Sequence, residues 1–204
     1  MNIHRKKFTI VKLQLLIAAL LFSFSSYSQP KPLQIGDTLP TAAWQSLSCF
    51  RESQETGNRQ LPTANRLLLL DFFATWCGSC YKRFPHLDSL QRELGDSLTV
   101  ILVNTVSARE DAAKVVSFFT KRKNPIGLPY QFRFILNDSV FNKLFPHVLI
   151  PHYVWIYNDR FIAATGPEWI TASNVRNVLS GIPVHWEIKN DSLQFEKRKR
   201  LTNK

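Results

Sequence analysis

Glycine is scarce in this 204-residue sequence, which contains seven glycines, and its eleven prolines are not in excess. These counts exclude a collagen-like or low-complexity chain. Hydrophobic residues make up 45% of the sequence, which is ample for a packed core, and the length suits one domain. The sequence therefore predicts a globular protein built around a single core.

A second C-x-x-C pair is also missing. The three cysteines are Cys49, Cys77 and Cys80, and only the last two form such a pair. A structural zinc site needs four ligands, and His86 is the only further candidate nearby in the sequence. We therefore expect no bound metal and no other cofactor.

Cys49 is left over from the pair, and three interpretations of it stay open. It is a small buried apolar residue, a partner in an intermolecular bridge, or a third redox thiol. Its apolar neighbours Trp44 and Phe50 favour burial, because such surroundings keep a thiol protonated and inert.

The first 28 residues lack the length of a membrane span. Four basic residues precede an apolar-rich stretch of twelve residues, 13–24, whereas a spanning helix needs about 20. Ser26 and Ser28 supply the small residues of a cleavage site. Residues 1–28 are therefore predicted to be a signal peptide cleaved before Gln29, and the mature protein to be periplasmic or otherwise exported. The alternative is an uncleaved anchor.

Basic charge is concentrated at the two ends of the chain. The net charge is +11, of which residues 1–28 contribute +4 and residues 196–204 another +4, so residues 29–195 carry only +3. This distribution argues against nucleic-acid binding and favours a solvated tail. We predict a basic tail, or the start of a truncated continuation, over residues 184–204, after a domain at 29–183.

The most informative stretch runs from Leu67 to Pro85. Its first residues form a continuous apolar run, which is typical of a strand buried on both faces of a sheet. After Cys80 the apolar residues recur at helical spacing, up to Leu94. The two cysteines are thus predicted where a central strand meets a helix. Free backbone N–H groups and the helix dipole favour a thiolate on Cys77 there.

The residues around this junction resemble the active site of thioredoxin-fold oxidoreductases. Asp71 lies six residues before Cys77, Trp76 lies directly before it, and C-x-x-C opens a helix. Later in the chain, Ile150-Pro151 precedes an apolar segment, like the cis-proline loop of that family. The combination is far more specific than C-x-x-C alone.

A long separation of 71 residues between Cys80 and Pro151 resembles the exported TlpA- and ResA-like branch, also called the redoxin branch. The resemblance implies an α/β fold, a thioredoxin-like three-layer sandwich with a mixed central sheet flanked by helices. It also implies an N-terminal strand extension, for which residues 43–50 are the candidate strand.

The resemblance assigns roles to six residues. Cys77 is expected to be the attacking nucleophile, Cys80 the resolving thiol, and Asp71 the buried carboxylate that takes the proton from Cys80. Burial in an apolar strand should raise the pKa of Asp71. Substrate binding is expected at Trp76, Ile150 and Pro151, with the Ile150–Pro151 bond in cis.

Together these features imply a thiol-disulfide oxidoreductase that reduces disulfides of exported proteins. A membrane-bound electron donor is its expected partner, and we expect a monomer. A redox-inactive binding module with this fold is the first alternative, although it would be expected to lack one of the two cysteines. A redoxin-type peroxidase is the second, but its Pro-x-x-x-Thr-x-x-Cys signature is absent.

Local patterns predict several further elements. Ser107 to Glu110 has the form of a capping box before a helix. Asp138 is a candidate cap of a short helix, and the turn Asn158-Asp159 predicts a hairpin. His152 follows the proline loop, and its imidazole lies either near the thiolate or on the surface.

Overall fold

The computed structural model describes residues 14, 31–48, 66–189 and 191. Within them a five-stranded mixed sheet forms the centre of the molecule, in the order β3-β2-β1-β4-β5. The strands are β1 (Leu67–Phe72), β2 (Leu98–Thr105), β3 (Arg133–Asp138), β4 (His152–Tyr157) and β5 (Arg160–Thr165). The helices are α1 (Thr41–Ser48), α2 (Gly78–Tyr81), α3 (Phe84–Leu94), α4 (Ala112–Thr120), α5 (Phe141–Leu144) and α6 (Ala172–Leu179).

β1 is the central strand because it pairs on both sides. It runs parallel to β2 and antiparallel to β4, and all six of its residues are buried. A strand covered on both faces has no solvated side, which explains its run of leucines. The prediction of a buried central strand leading into the cysteines is confirmed.

Side chains alternate between two hydrophobic clusters, one on each face of the sheet. Leu67, Leu69 and both cysteines belong to the first cluster, together with residues of α3, α4 and α6. Leu68 and Leu70 belong to the second, with residues of α1 and α5. The helices thus cover both faces, and the predicted three-layer arrangement is confirmed.

The N-terminal strand extension was predicted wrongly for the residues that the structure describes. Residues 41–48 form α1, not a strand, and Thr38 makes only an isolated bridge with Arg160. Ala43 and Leu47 are both buried in the second cluster. Because they are four positions apart, helical geometry places both on one face, whereas a strand buries every second residue. Cys49 and Phe50 lie outside the described residues.

Two of the local predictions are confirmed. The Asp138 carboxylate accepts hydrogen bonds from the N–H groups of Val140, Phe141 and Asn142 at the start of α5. The β4–β5 hairpin turns at Asn158 and Asp159, whose φ angles are 48° and 63°. Among the described residues, no helix is long and apolar enough to cross a bilayer.

Candidate active site

The two cysteines lie directly beyond the carboxyl end of β1. They form a disulfide with Cα atoms 5.3 Å apart. Cys80 is fully buried and Cys77 is 6% exposed, so Cys77 is the sulfur closer to solvent. The Cys80 N–H donates to the Cys77 sulfur at 3.2 Å, and the Ser79 hydroxyl lies 3.4 Å from the same sulfur. Both groups would stabilise negative charge on Cys77 after reduction.

The helix that follows Cys77 is broken after one turn. α2 spans four residues, and α3 begins at Phe84 with Pro85 in its first turn. Pro85 has no N–H to donate to the Tyr81 carbonyl, and its ring disfavours a continuous helix. The sequence predicted one helix, so this is a correction. Stabilisation of the Cys77 thiolate is therefore assigned mainly to the local donors rather than to a long helix dipole.

A buried glutamate fixes the loop that leads into Cys77. The Glu110 carboxylate accepts from the Thr75 N–H at 2.8 Å and also from the Thr75 hydroxyl. Asn104 donates to the same carboxylate at 3.1 Å and to the Phe73 carbonyl at 3.3 Å. Burial raises the pKa of Glu110, but these bonds and the one from Lys114 outweigh it, so the pKa lies below its ordinary value.

This network corrects the capping box predicted at Ser107 to Glu110. The cap of α4 is Asp111, whose carboxylate accepts from the Lys114 N–H at 2.6 Å. Arg109 adopts a left-handed conformation with φ 55°, which separates Ser107 from the helix. Glu110 is therefore free to reach the loop before the cysteines. Asn104 lies at the carboxyl end of β2, the parallel neighbour of β1, and Glu110 follows that strand, which is a sequence signal for this contact.

Trp76, the residue directly before Cys77, and Ile150 line one cleft. Trp76 is 63% exposed, and its indole N–H donates to the Ala108 carbonyl at 3.3 Å. The cleft has a volume of about 200 Å³ and also includes Ser107, Ala108, His147 and Val148. The Ile150–Pro151 bond is cis, as predicted. Ile150 packs against the hydrophobic cluster that contains Cys77 and Cys80.

Asp71 is fully buried on the sheet face against which both cysteines pack. Burial raises its pKa well above the ordinary value, and the neighbouring Tyr153 hydroxyl opposes this only in part. Asp71 and Tyr153 are paired residues of β1 and β4. No hydrogen bond of ordinary geometry joins either Asp71 carboxyl oxygen to the Tyr153 hydroxyl, so the interaction between the two side chains is weak. Burial thus shifts the carboxyl towards its protonated form relative to an exposed aspartate.

His152 is neither near the disulfide nor on the surface, so both interpretations made from the sequence are wrong. It pairs with Phe72 in the sheet, and its ring stacks on His147 at 4.7 Å between centroids. Because side chains alternate along a strand, His152 points to the face opposite Tyr153 and Asp71. Burial lowers the pKa of His152 well below its ordinary value, and His147 and Lys189 lower it further.

Comparison with known proteins shows which family the region around the cysteines resembles. Residues 49–119 match the sequence profile of the thioredoxin family, a segment that includes β1, both cysteines and most of α4. Over these residues the chain is similar to thioredoxin. Outside this segment, β3 and the β4–β5 hairpin complete the mixed sheet, and the cis-proline loop contributes to the candidate site.

The chain is similar to three proteins of Bacillus subtilis. The thioredoxin-like protein YneN is 30% identical over 96 residues, which are 47% of this chain and 53% of YneN. Thioredoxin is 36% identical over 52 residues, which are 26% of this chain and 50% of thioredoxin. The chain therefore spans about half the length of these curated relatives. The crystal structure of StoA is 21% identical, with a TM-score of 0.46 over 57% of this chain and 84% of StoA.

Among the described residues, no group of three or more histidine, cysteine or acidic side chains is arranged to hold a metal ion. The structure does bring Cys77, Cys80 and Trp76 together with Ile150 at one end of the sheet, with Asp71 in the layer beneath. Sequence reasoning missed Thr75, Asn104 and Glu110.

Proposed function

We propose that the chain is a thiol-disulfide oxidoreductase that reduces disulfides in protein substrates. The observation that carries this proposal is the disulfide-forming pair Cys77–Cys80, of which Cys77 is 6% exposed and Cys80 is fully buried on the sheet face that holds Asp71. Thiol–disulfide exchange needs an accessible attacking thiolate and a second thiol within reach of the mixed disulfide. The two sulfurs lie within bonding distance of each other, which meets the second requirement, and Cys77 is the less buried of the two residues.

The proposed reaction has two exchange steps. In the reduced enzyme, the Cys77 thiolate attacks one sulfur of the substrate disulfide, the substrate S–S bond breaks, and one substrate thiolate leaves. Cys80 then loses its proton to Asp71 and attacks the Cys77 sulfur. The second substrate thiol is released, and the Cys77–Cys80 disulfide forms. The substrate gains two electrons, which a dithiol donor must return to the enzyme.

We propose Asp71 as the proton acceptor in the second step. When it is ionised, a carboxylate with a raised pKa is a stronger base than an exposed one, so it takes a proton near neutral pH more readily. Asp71→Asn should slow release of substrate from the mixed disulfide more than it slows the first attack. Rapid-mixing measurement of both rate constants near pH 7 tests this role, and equal slowing of the two steps would make Asp71 purely structural.

The other roles follow from the cleft. We propose that Trp76, Ile150 and Pro151 contact the substrate, because the first two line the cleft and the third adjoins Ile150. The long connection between Cys80 and Pro151, which includes α4, β3 and α5, supports placement in the TlpA- and ResA-like branch. Residues 1–28 support export after cleavage before Gln29. We further propose a monomer supplied with electrons by a membrane-bound donor.

Reduction of insulin by a dithiol donor tests the activity. The wild-type protein should accelerate the reaction, and Cys77→Ser should abolish the acceleration. An inactive wild-type protein would favour the alternative of a redox-inactive binding module.

A further inference from the structure

The segment after α6 packs against the domain, although the sequence predicted a tail from residue 184. The Trp186 ring lies 4.7 Å from that of Trp155 and 5.9 Å from that of Trp169, between centroids. The Lys189 N–H then donates to the Ala164 carbonyl at 2.9 Å, beside β5. These contacts place the segment next to the end of the sheet at which the cis-proline loop lies.

Two charged side chains of this segment bind the backbone of that loop. The Asp191 carboxylate accepts from the N–H groups of Val148, at 2.8 Å, and Leu149, at 3.1 Å. The Lys189 ammonium donates to the carbonyls of Leu149 and Pro151, the latter at 3.1 Å. The two side chains also form an ion pair at 3.4 Å, and only 11% and 7% of their surfaces are exposed.

These contacts leave one residue of the loop open. The backbone groups on either side of Ile150 are occupied by Lys189 and Asp191. Within the part of the chain that the structure describes, the N–H and C=O of Ile150 itself have no hydrogen-bond partner. Ile150 also lines the cleft next to Trp76. An extended peptide passing the disulfide would therefore find a free donor and acceptor at this residue.

The buried position of the ion pair is costly unless the loop contacts compensate for it. Burial lowers the pKa of Lys189, while Asp191 opposes the shift. A buried pair contributes little net stability unless its remaining donors and acceptors are satisfied. Here the loop N–H groups satisfy Asp191 Oδ2 and the loop C=O groups satisfy Lys189, while Asp191 Oδ1 has only the ion pair with Lys189. The Lys189–Asp191 ion pair and the loop therefore stabilise each other's conformation.

We propose that Lys189 and Asp191 are positioning residues, which hold residues 148–151 so that the backbone of Ile150 pairs with an extended segment of a protein substrate. The inference rests on the proposed function. It adds that reduction of a disulfide within a polypeptide depends on Lys189 and Asp191, whereas reduction of a small disulfide without flanking backbone does not.

The test uses the full chain with Asp191→Asn and Lys189→Met. Lys189→Arg keeps the charge and serves as the rescue variant. Asp37→Asn is the matched control, because Asp37 also accepts a backbone N–H, from Gln34 at 2.8 Å, but lies beside the β4–β5 turn at the far end of β4. Three quantities are measured: amide hydrogen exchange at Val148 and Leu149, kcat and KM for insulin, and the rate constant for hydroxyethyl disulfide.

Asp191→Asn should make the two amides exchange roughly tenfold faster, the scale expected for loss of a charged hydrogen-bond acceptor. Both variants should raise the KM for insulin by about the same factor, with kcat within about twofold of wild type. Reduction of hydroxyethyl disulfide should be unchanged. Lys189→Arg and Asp37→Asn should behave like wild type. If Asp191→Asn does not fold, Lys189→Met carries the kinetic comparison.

Three results would overturn the proposal while leaving the proposed function intact. They are unchanged amide exchange in Asp191→Asn, an unchanged KM for insulin in either variant, and equal slowing with insulin and hydroxyethyl disulfide. A wild-type protein that reduces neither disulfide would instead remove the proposed function, and this proposal with it.

Discussion

Asp71→Asn is expected to change how the stability of the domain depends on pH. Burial raises the folded-state pKa of Asp71 well above its ordinary value. The unfolded chain ionises at the unperturbed value of about 3.9. Between these two pKa values the folded state binds one proton more than the unfolded state, so stability falls as the pH rises. Above the folded-state pKa both states are ionised and the loss becomes constant.

The magnitude follows from the difference of one proton. The contribution of Asp71 to the free energy of unfolding should fall by up to about 1.4 kcal/mol per pH unit within that window. The variant lacks this contribution. Its asparagine amide occupies a site where neither Asp71 oxygen has a partner, at a cost of about 1–3 kcal/mol that does not depend on pH. The slope of the difference between variant and wild type is therefore the informative quantity.

Urea unfolding of the oxidised proteins, followed by circular dichroism from pH 4 to 9, measures this slope. The unfolding free energy of wild type minus that of the variant should decrease as the pH rises and then reach a plateau. Asp37→Asn, which removes an exposed carboxylate, is measured in parallel as the control for loss of a negative charge. A flat difference for Asp71→Asn across the whole range would refute the argument that Asp71 has a raised pKa.

Two further variants test the surroundings of the site. Glu110→Ala should lower the unfolding free energy at pH 7 by on the order of 3 kcal/mol in urea unfolding, because Thr75 and Asn104 lose their acceptor. Because the pKa of Glu110 is lowered in the folded state, the stabilisation by its ionised carboxylate is lost in wild type as the pH falls from about 4.3 through the folded-state pKa. A variant as stable as wild type at pH 7 would contradict the network. His152→Phe should reduce the loss of stability on acidification by up to about 1.4 kcal/mol per pH unit below about 6.5, because the unfolded state binds a proton that the folded site resists. Equal slopes for His152→Phe and wild type in urea unfolding between pH 7.5 and 5 would contradict a neutral buried imidazole.

The centre of the fold is predictable from the sequence because its signals are local and redundant. The apolar run at β1, the C-x-x-C pair and the helical spacing from Phe84 onwards each specify the same junction. The hairpin turn and the Asp138 cap depend on residues within a few positions of each other. Such short-range patterns are interpretable without knowledge of the tertiary structure.

Residues 41–48 show why the N-terminal region was predicted wrongly. Their apolar residues fit both a short strand and a short helix, and periodicity alone does not separate the two. Burial of Ala43 and Leu47 against α5 and the sheet selects the helix. The deciding partners are distant in sequence.

Glu110 and Lys189 illustrate the same limit for charged residues. Exposed charge is the ordinary expectation for both, one in an apparent capping box and the other near a basic terminus. Glu110 is buried because it satisfies Thr75, 35 positions earlier. Lys189 is buried because it satisfies the Pro151 carbonyl, 38 positions earlier. These roles follow from backbone groups that only the folded chain brings near.

Capture of a mixed disulfide tests the central claim, that Cys77 attacks substrate and Cys80 resolves the intermediate, most directly. Reduced Cys77→Ser and Cys80→Ser proteins are incubated with insulin, and the intact mass is measured with and without dithiothreitol. Cys80→Ser should accumulate a dithiothreitol-sensitive adduct with an insulin chain, because its Cys77 attacks but nothing resolves the product. Cys77→Ser should accumulate none. An adduct on Cys77→Ser alone would reverse the assigned roles, and the absence of an adduct on both variants would contradict thiol–disulfide exchange at this site.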